Sequence, residues 1–189
     1  MNFVDDKTFE KADFTIEAFP VAEYDNCRFI SCDFSNSDLS EIKFSACEFK
    51  GCNLSLAKLG NTAFREVEFK DCKMLGLNFE NCNAFGLEMN LDNCNLSQST
   101  FYKLKLKGTI FRNTKLLEAD FTEADLSAAV FDDCDLLGAR FDYTNLEKAD
   151  FRTAYNYSLD PENNKIKKAR FSVPGIAGLL DKYDIVIEV

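Results

Sequence analysis

Large apolar residues recur every five positions along most of this chain. The first run is Phe9, Phe14, Phe19, Tyr24, Phe29, Phe34, Leu39, Phe44, Phe49, Leu54, Leu59, Phe64, Phe69, Met74 and Phe79. The series weakens at Ala84, beside Phe85, and returns at Met89. A second run follows: Leu96, Phe101, Leu106, Phe111, Leu116, Phe121, Leu126, Phe131, Leu136, Phe141, Leu146 and Phe151. Met89 and Leu96 are seven residues apart, which places a two-residue phase break near 90–93. The slot two positions before each large residue is mostly small: Ala, Cys, Ser or Thr. A period of five suits neither a helix stripe, which repeats near 3.6, nor a flat strand, which alternates. Two inward residues in every five fit a solenoid that turns a corner after each repeat.

Four repeats make a coil of 20 residues, and the sequence supports that number. Phe111, Phe131, Phe151 and Phe171 are 20 apart, as are Phe101, Phe121 and Phe141. Leu106, Leu126, Leu146 and Ile166 keep the same spacing. Phe101, Phe111, Phe121, Phe131, Phe141 and Phe151 are therefore read as a core ladder, with Phe on two opposite walls and Leu on the other two. The pattern gives about eight coils and a rod about 38 Å long at the spacing of paired strands.

Composition now has a cause. Seventeen of 19 Phe occupy the large slot and all 8 Cys the small one, so neither an aromatic binding surface nor a thiol site is needed to explain them. The Cys lack a CxxC pair and the chain has no His, which makes a zinc reading weak beside that of small buried fillers. Without His, Ser-His-Asp and Cys-His catalysis are excluded. Carboxylate pairs are everywhere and none is set apart by a cleft-forming insertion, so no catalytic residue, cofactor or metal is expected. The net charge of −10 argues against direct binding to nucleic-acid phosphates. The N-terminal MNFVDDKTFEKADF carries acids where a signal peptide has a basic start, and no stretch approaches 18 apolar residues. A cytoplasmic protein without a membrane segment is expected.

The chain divides into a repeat rod, 1–171, whose looser last coil is 152–171, and a C-terminal segment, 172–189. Pro161 occupies a large slot, which predicts a looped-out face around Asp160–Asn164. Ser172 and Pro174 mark the start of a short helix, and Ile185, Val186, Ile187 and Val189 form a β-prone tail. A solenoid end must be covered, so this segment is either a cap or a homodimer seam through Ile176, Leu179, Leu180, Tyr183, Ile185 and Ile187.

Residues 116–139 carry Glu118, Asp120, Glu123, Asp125, Asp132, Asp133 and Asp135 with no Lys or Arg. On the four-wall map these acids form a belt. One reading is solubility combined with the Asp and Asn chemistry of turns. The other is imitation of duplex DNA by a rod of similar width with regularly spaced carboxylates.

The stretch EADFTEADLSAAVFDDCDLLGARF closely resembles the A(D/N)LXX pattern of the pentapeptide repeat family. The resemblance covers about residues 7–171 and implies an all-β solenoid, a right-handed quadrilateral β-helix, here with a short C-terminal helix and apolar tail. The short C-terminal helix and apolar tail resemble those of the topoisomerase-protecting members, the Qnr-type quinolone-resistance proteins and their relatives, and Cys52–Phe79 with the segment DPENNKIKKARFSVPGIAGLLDKYDI is similar to the albicidin- and microcin-immunity branch of these proteins. That similarity implies a non-catalytic DNA mimic that binds bacterial DNA gyrase, or topoisomerase IV, and pairs through its C-terminus. The longer projecting loops of Qnr-type proteins have no counterpart beyond the two-residue insertion and Asp160–Asn164. The alternative is a general protein-interaction scaffold without a topoisomerase role.

Overall fold

The computed structural model describes residues 2–188. Its strands are short because each wall of the coil holds only one repeat. They are β1 (Asn2–Asp5), β2 (Thr8–Glu10), β3 (Ala22–Asp25), β4 (Arg28–Ile30), β5 (Lys43–Ser45), β6 (Glu48–Lys50) and β7 (Ala63–Arg65). They continue as β8 (Val67–Lys70), β9 (Met89–Asp92), β10 (Ile110–Arg112), β11 (Val130–Asp132), β12 (Asp150–Phe151) and β13 (Arg170–Phe171). All pairings are parallel. One sheet runs β1-β3-β5-β7 and the other β13-β12-β11-β10-β9-β8-β6-β4-β2. The two remaining walls stack through single parallel bridges, such as Asp13 to Asp33 to Asn53 to Lys73, and Thr100 to Asp120 to Arg140. This is the quadrilateral solenoid of about eight coils.

The nine-stranded sheet, here wall A, centres on Phe9, Phe29, Phe49, Phe69, Leu91, Phe111, Phe131 and Phe151, with Phe171 at its end. Wall B follows it along the chain, then wall C, then wall D, which begins as the four-stranded sheet. In the second half Phe111, Phe131 and Phe151 line wall A, while Phe101, Phe121 and Phe141 line the opposite wall C. Rings on one wall stack face to face, as in Phe111 on Phe131 at 5.1 Å and Phe121 on Phe141 at 5.2 Å. Rings on opposite walls meet edge-on, as in Phe111 with Phe121 at 6.0 Å. All six ladder residues are buried, so the rod has a filled interior.

The corners explain the polar slots. The residue two places after the centre is left-handed at most corners, from Asp6 (φ 52°) to Lys168 (φ 61°). Asn, Asp and Gly tolerate that conformation best, which is why they are frequent there. The residue before the centre is often Asp or Asn. Its Oδ1 accepts the backbone N–H two residues on, as in Ser35 to Asp33 at 2.8 Å and Thr122 to Asp120 at 2.9 Å.

The phase break lies earlier than the sequence spacing indicated. Met89 pairs with Val67 and Leu91 with Phe69, so the register is already reset before residues 90–93. The extra residues sit between Asn83 and Met89, after a 3₁₀ turn at Phe79–Asn81 that replaces the usual left-handed corner. Met89 occupies the small slot and Leu91 the large one, a swap that the flexible Met side chain permits. The looped-out face around Asp160–Asn164 is present, with Leu159 buried in place of Pro161.

The C-terminal helix is 3₁₀, at Pro174–Leu179, followed by a second 3₁₀ turn at Asp181–Tyr183. Ser172 precedes the N-cap, and its Oγ accepts the Gly175 N–H at 3.3 Å. Residues 184–188 form no strand and are exposed. Val189 lies outside the described residues.

Candidate functional site

The outer walls and the C-terminal end are the surfaces available for function. Open surface grooves of about 290–570 Å³ lie between neighbouring coils and under the C-terminal segment. Among the described residues, no group of three or more Cys, Asp or Glu is placed to hold a metal ion. No helix there is long and apolar enough to cross a membrane.

The eight cysteines are buried and free. In most of them the thiol donates to a carbonyl one coil below. Cys52 donates to Phe29 O at 3.2 Å, Cys72 to Phe49 O at 3.3 Å and Cys134 to Phe111 O at 3.4 Å. Ser99, Thr62 and Thr144 make the same bond from the same slot, to Met74, Leu39 and Phe121. The small slot therefore holds a small donor as well as a filler. Burial pushes the thiols of Cys47, Cys82 and Cys134 up to about 12, so they are protonated and weakly reactive.

The acidic belt encircles the rod, but six of its seven carboxylates are engaged. Asp120 accepts Thr122 N–H, and Asp125 accepts Ser127 N–H at 3.0 Å together with Asn145 Nδ2 at 2.9 Å. Asp135 accepts Leu137 N–H at 3.3 Å and Asn156 Nδ2 at 2.8 Å. Glu118 accepts Gln98 Nε2 at 3.0 Å. Glu123 faces Lys103 at 3.4 Å and the Tyr102 hydroxyl at 3.1 Å. Asp132 faces Arg112 at 3.4 Å. Only the Asp133 carboxylate has no partner among the described residues. The turn bonds fix the position of three carboxylates without neutralising them. The two exposed ion pairs contribute about 0–1 kcal/mol each and exchange readily for a partner's cations.

A second acidic surface escapes inspection of the linear sequence. Glu48, Glu66, Glu68 and Glu88 line one groove of about 460 Å³ with Asn26, Arg28 and Asn90. Glu48 pairs with Arg28 at 3.6 Å, whereas Glu66, Glu68 and Glu88 are exposed and have no ion-pair partner among the described residues. These acids are far apart in the chain and converge only because coils stack every 20 residues, or 22 across the break. Writing the sequence in coil-length rows with the gap before Met89 is the signal that finds them. Beside this groove Phe85 projects from the break, 79% exposed, with the Arg65 guanidinium over its ring at 5.8 Å.

At the C-terminal end the expected seam residues are brought to one end of the rod. Leu179 packs partly on the core, and Leu180 is half-buried. Ile176, Tyr183, Ile185 and Ile187 are exposed, the last two at 56% and 51%. Below them Ile166 and Phe171 are only partly buried, so the last coil is incompletely covered. The helix docks through two glycines. A Cβ at Gly175 would collide with the Tyr157 hydroxyl, and one at Gly178 with the Tyr157 carbonyl oxygen. The Gly178 carbonyl accepts the Leu159 N–H at 3.0 Å.

A family model described as the pentapeptide repeat region matches residues 22–101 and 88–153. In structure the chain is similar to full-length QnrB1, a plasmid-mediated fluoroquinolone resistance protein. The identity is 19%, the TM-score 0.53, and the match covers 97% of this chain and 100% of that one. A trypsin-treated variant of QnrB1 is similar at 22% identity and TM-score 0.50, over 99% and 97% of the two chains. HetL, a pentapeptide repeat protein involved in heterocyst differentiation regulation in the cyanobacterium Nostoc sp. strain PCC 7120, matches at 16% identity and TM-score 0.34, over 90% and 84%. No curated protein matches the chain. The two QnrB1 likenesses establish a shared fold, and the HetL likeness is too distant to add to it.

Proposed function

The chain belongs to the pentapeptide repeat family, and we propose that it is a non-catalytic, protein-binding member that acts as a DNA mimic toward bacterial DNA gyrase, with topoisomerase IV as a second target. In this reading it modulates the enzyme or shields it from an antibiotic or toxin that traps cleaved DNA. It works as a homodimer joined at the C-terminal ends, an acidic rod of about 75–80 Å at the coil spacing. The observation that carries the reading is the filled acidic rod itself. Its interior is filled by buried Phe and Leu side chains, and its charge stands on the outer walls. A basic DNA-binding surface would exchange its bound anions for these carboxylates, so affinity falls as salt rises. The full-length resemblance to a fluoroquinolone resistance protein supports the choice of target.

A general interaction scaffold is the second reading. The engaged belt carboxylates favour it, because they already have a structural reason to be present. Supercoiling by purified gyrase, with and without a cleavage-trapping drug, across a salt series separates the two. The DNA-mimic reading expects inhibition or protection that is strongest at low salt. Absence of inhibition, protection and binding at low salt leaves the scaffold.

A further inference from the structure

The looped face and the C-terminal segment are joined at one side chain. Lys182 Nζ lies 2.7 Å from Asp160 Oδ1 and 2.7 Å from Glu162 Oε2. The neighbouring Tyr183 hydroxyl donates to Glu162 Oε1 at 3.0 Å. One residue earlier in the loop, the Leu159 N–H donates to the Gly178 carbonyl. The loop is thus shaped as a receptor. Pro161 breaks the repeat, Asp160 Oδ1 accepts the Glu162 N–H at 2.8 Å, and both carboxylates are turned toward the cap. Asn164 closes the loop by donating Nδ2 to the Asp160 carbonyl at 2.8 Å.

We infer that Lys182 is the positioning residue of the C-terminal seam, a latch that holds Ile176, Tyr183, Ile185 and Ile187 in the arrangement a second copy of this chain binds. The inference rests on the homodimer reading above and adds what regulates it. Apolar side-chain contacts between the cap and the core are few. Among the described residues, Leu179 alone of the cap's large side chains packs on the core cluster, and the buried hydroxyl of Tyr157, the side chain under the glycines, has no hydrogen-bond partner. The cap meets the rod through two glycines and one backbone hydrogen bond and buries little apolar surface, so a lysine shared by two carboxylates is the polar anchor that fixes its orientation. The other charged groups around it are Asp181 and Asp184 on the cap and Arg140 and Asp142 on the coil below, the last two lining the same groove as Asp160 and Lys182.

Lys182 holds the Asp160 carboxyl below its ordinary range, and Lys182 with Tyr183 does the same for Glu162. Groups lowered by folding contribute stability above their ordinary pKa and lose it as pH falls through the lowered values. The latch therefore opens in acid and weakens with salt.

Hydrogen exchange at the cap amides and sedimentation equilibrium test this on the full chain. In Lys182→Gln the Leu159, Leu180 and Tyr183 amides lose protection, and dimerisation weakens about tenfold, since each dimer holds two latches. Lys182→Arg retains both properties. Unchanged cap protection in Lys182→Gln overturns the latch. A released cap with an unaltered dimer constant overturns its positioning role. A wild-type chain that is monomeric at every concentration overturns the seam reading instead, while exchange at the Leu159 amide still decides whether the latch exists.

Discussion

Residues 96–151 and residues 152–188 have opposite relations to their surroundings. In the first region Phe and Leu centres alternate, almost every corner is left-handed, and even the acids serve the repeat through turn and cross-coil bonds. In the second the repeat loses a corner, a Pro takes a large slot, and apolar side chains reach solvent. The regular region satisfies itself and offers mostly charge to a partner, with Ile110, Leu137 and Tyr143 as its scattered exposed apolar side chains. The irregular end leaves apolar surface uncovered, and such surface is what a specific contact needs.

The largest expected effect tests the closed half of that contrast. Phe121→Ala removes a ring that is fully buried between Phe101 and Phe141 and should cost about 3–5 kcal/mol in denaturant unfolding. The same change at Phe171, partly exposed at the rod end, should cost less than half as much. Equal losses would mean that the end is as closed as the middle.

The next effect concerns the open end. Gly178→Ala places a methyl against the Tyr157 carbonyl, so the cap must move. Dimerisation, read by sedimentation, should fall by more than about tenfold while the far-ultraviolet spectrum of the rod is kept. An unchanged dimer would remove the cap from the interface.

A smaller stability effect, with a larger binding effect, is expected at the belt. Asp120→Asn with Glu123→Gln, Asp132→Asn and Asp133→Asn keeps the turn acceptor at Asp120, so unfolding should shift by about 1 kcal/mol or less. Gyrase binding should weaken. Binding that persists would move the contact to the Glu66, Glu68 and Glu88 groove. Asp120→Ala, by contrast, deletes the turn bond and should cost about 1 kcal/mol in unfolding.

The smallest effect is expected from Cys72→Ser. Serine can donate to the Phe49 carbonyl as Ser99 donates to Met74, and unfolding should change by about 1 kcal/mol or less. In the native rod Cys47, Cys82 and Cys134 should resist alkylation at pH 8 and react only on unfolding, because their pKa lies near 12. Rapid native labelling would mean that the walls open.

The coil, its wall count and the ladder were legible because a strict period leaves one way to place Phe121 against Phe101 and Phe141. The phase break was misplaced by a few residues because Met89 fits either slot, and only its pairing with Val67 decides. The groove of Glu48, Glu66, Glu68 and Glu88 was hidden for the same reason, since it depends on the 22-residue step across that break. The seam residues could be named from their apolar character. Their latch could not, because a contact between Lys182 and Asp160 depends on how an aperiodic loop folds back. The donor role of the cysteines was equally invisible, because Ala in the same slot makes no such bond.

The most direct test of the account is competition between this protein and duplex DNA for purified gyrase, measured over increasing salt. The account predicts that the chain displaces DNA at low salt and that its affinity falls steadily as salt rises. Binding that leaves DNA in place, or no binding at any salt concentration, would contradict it.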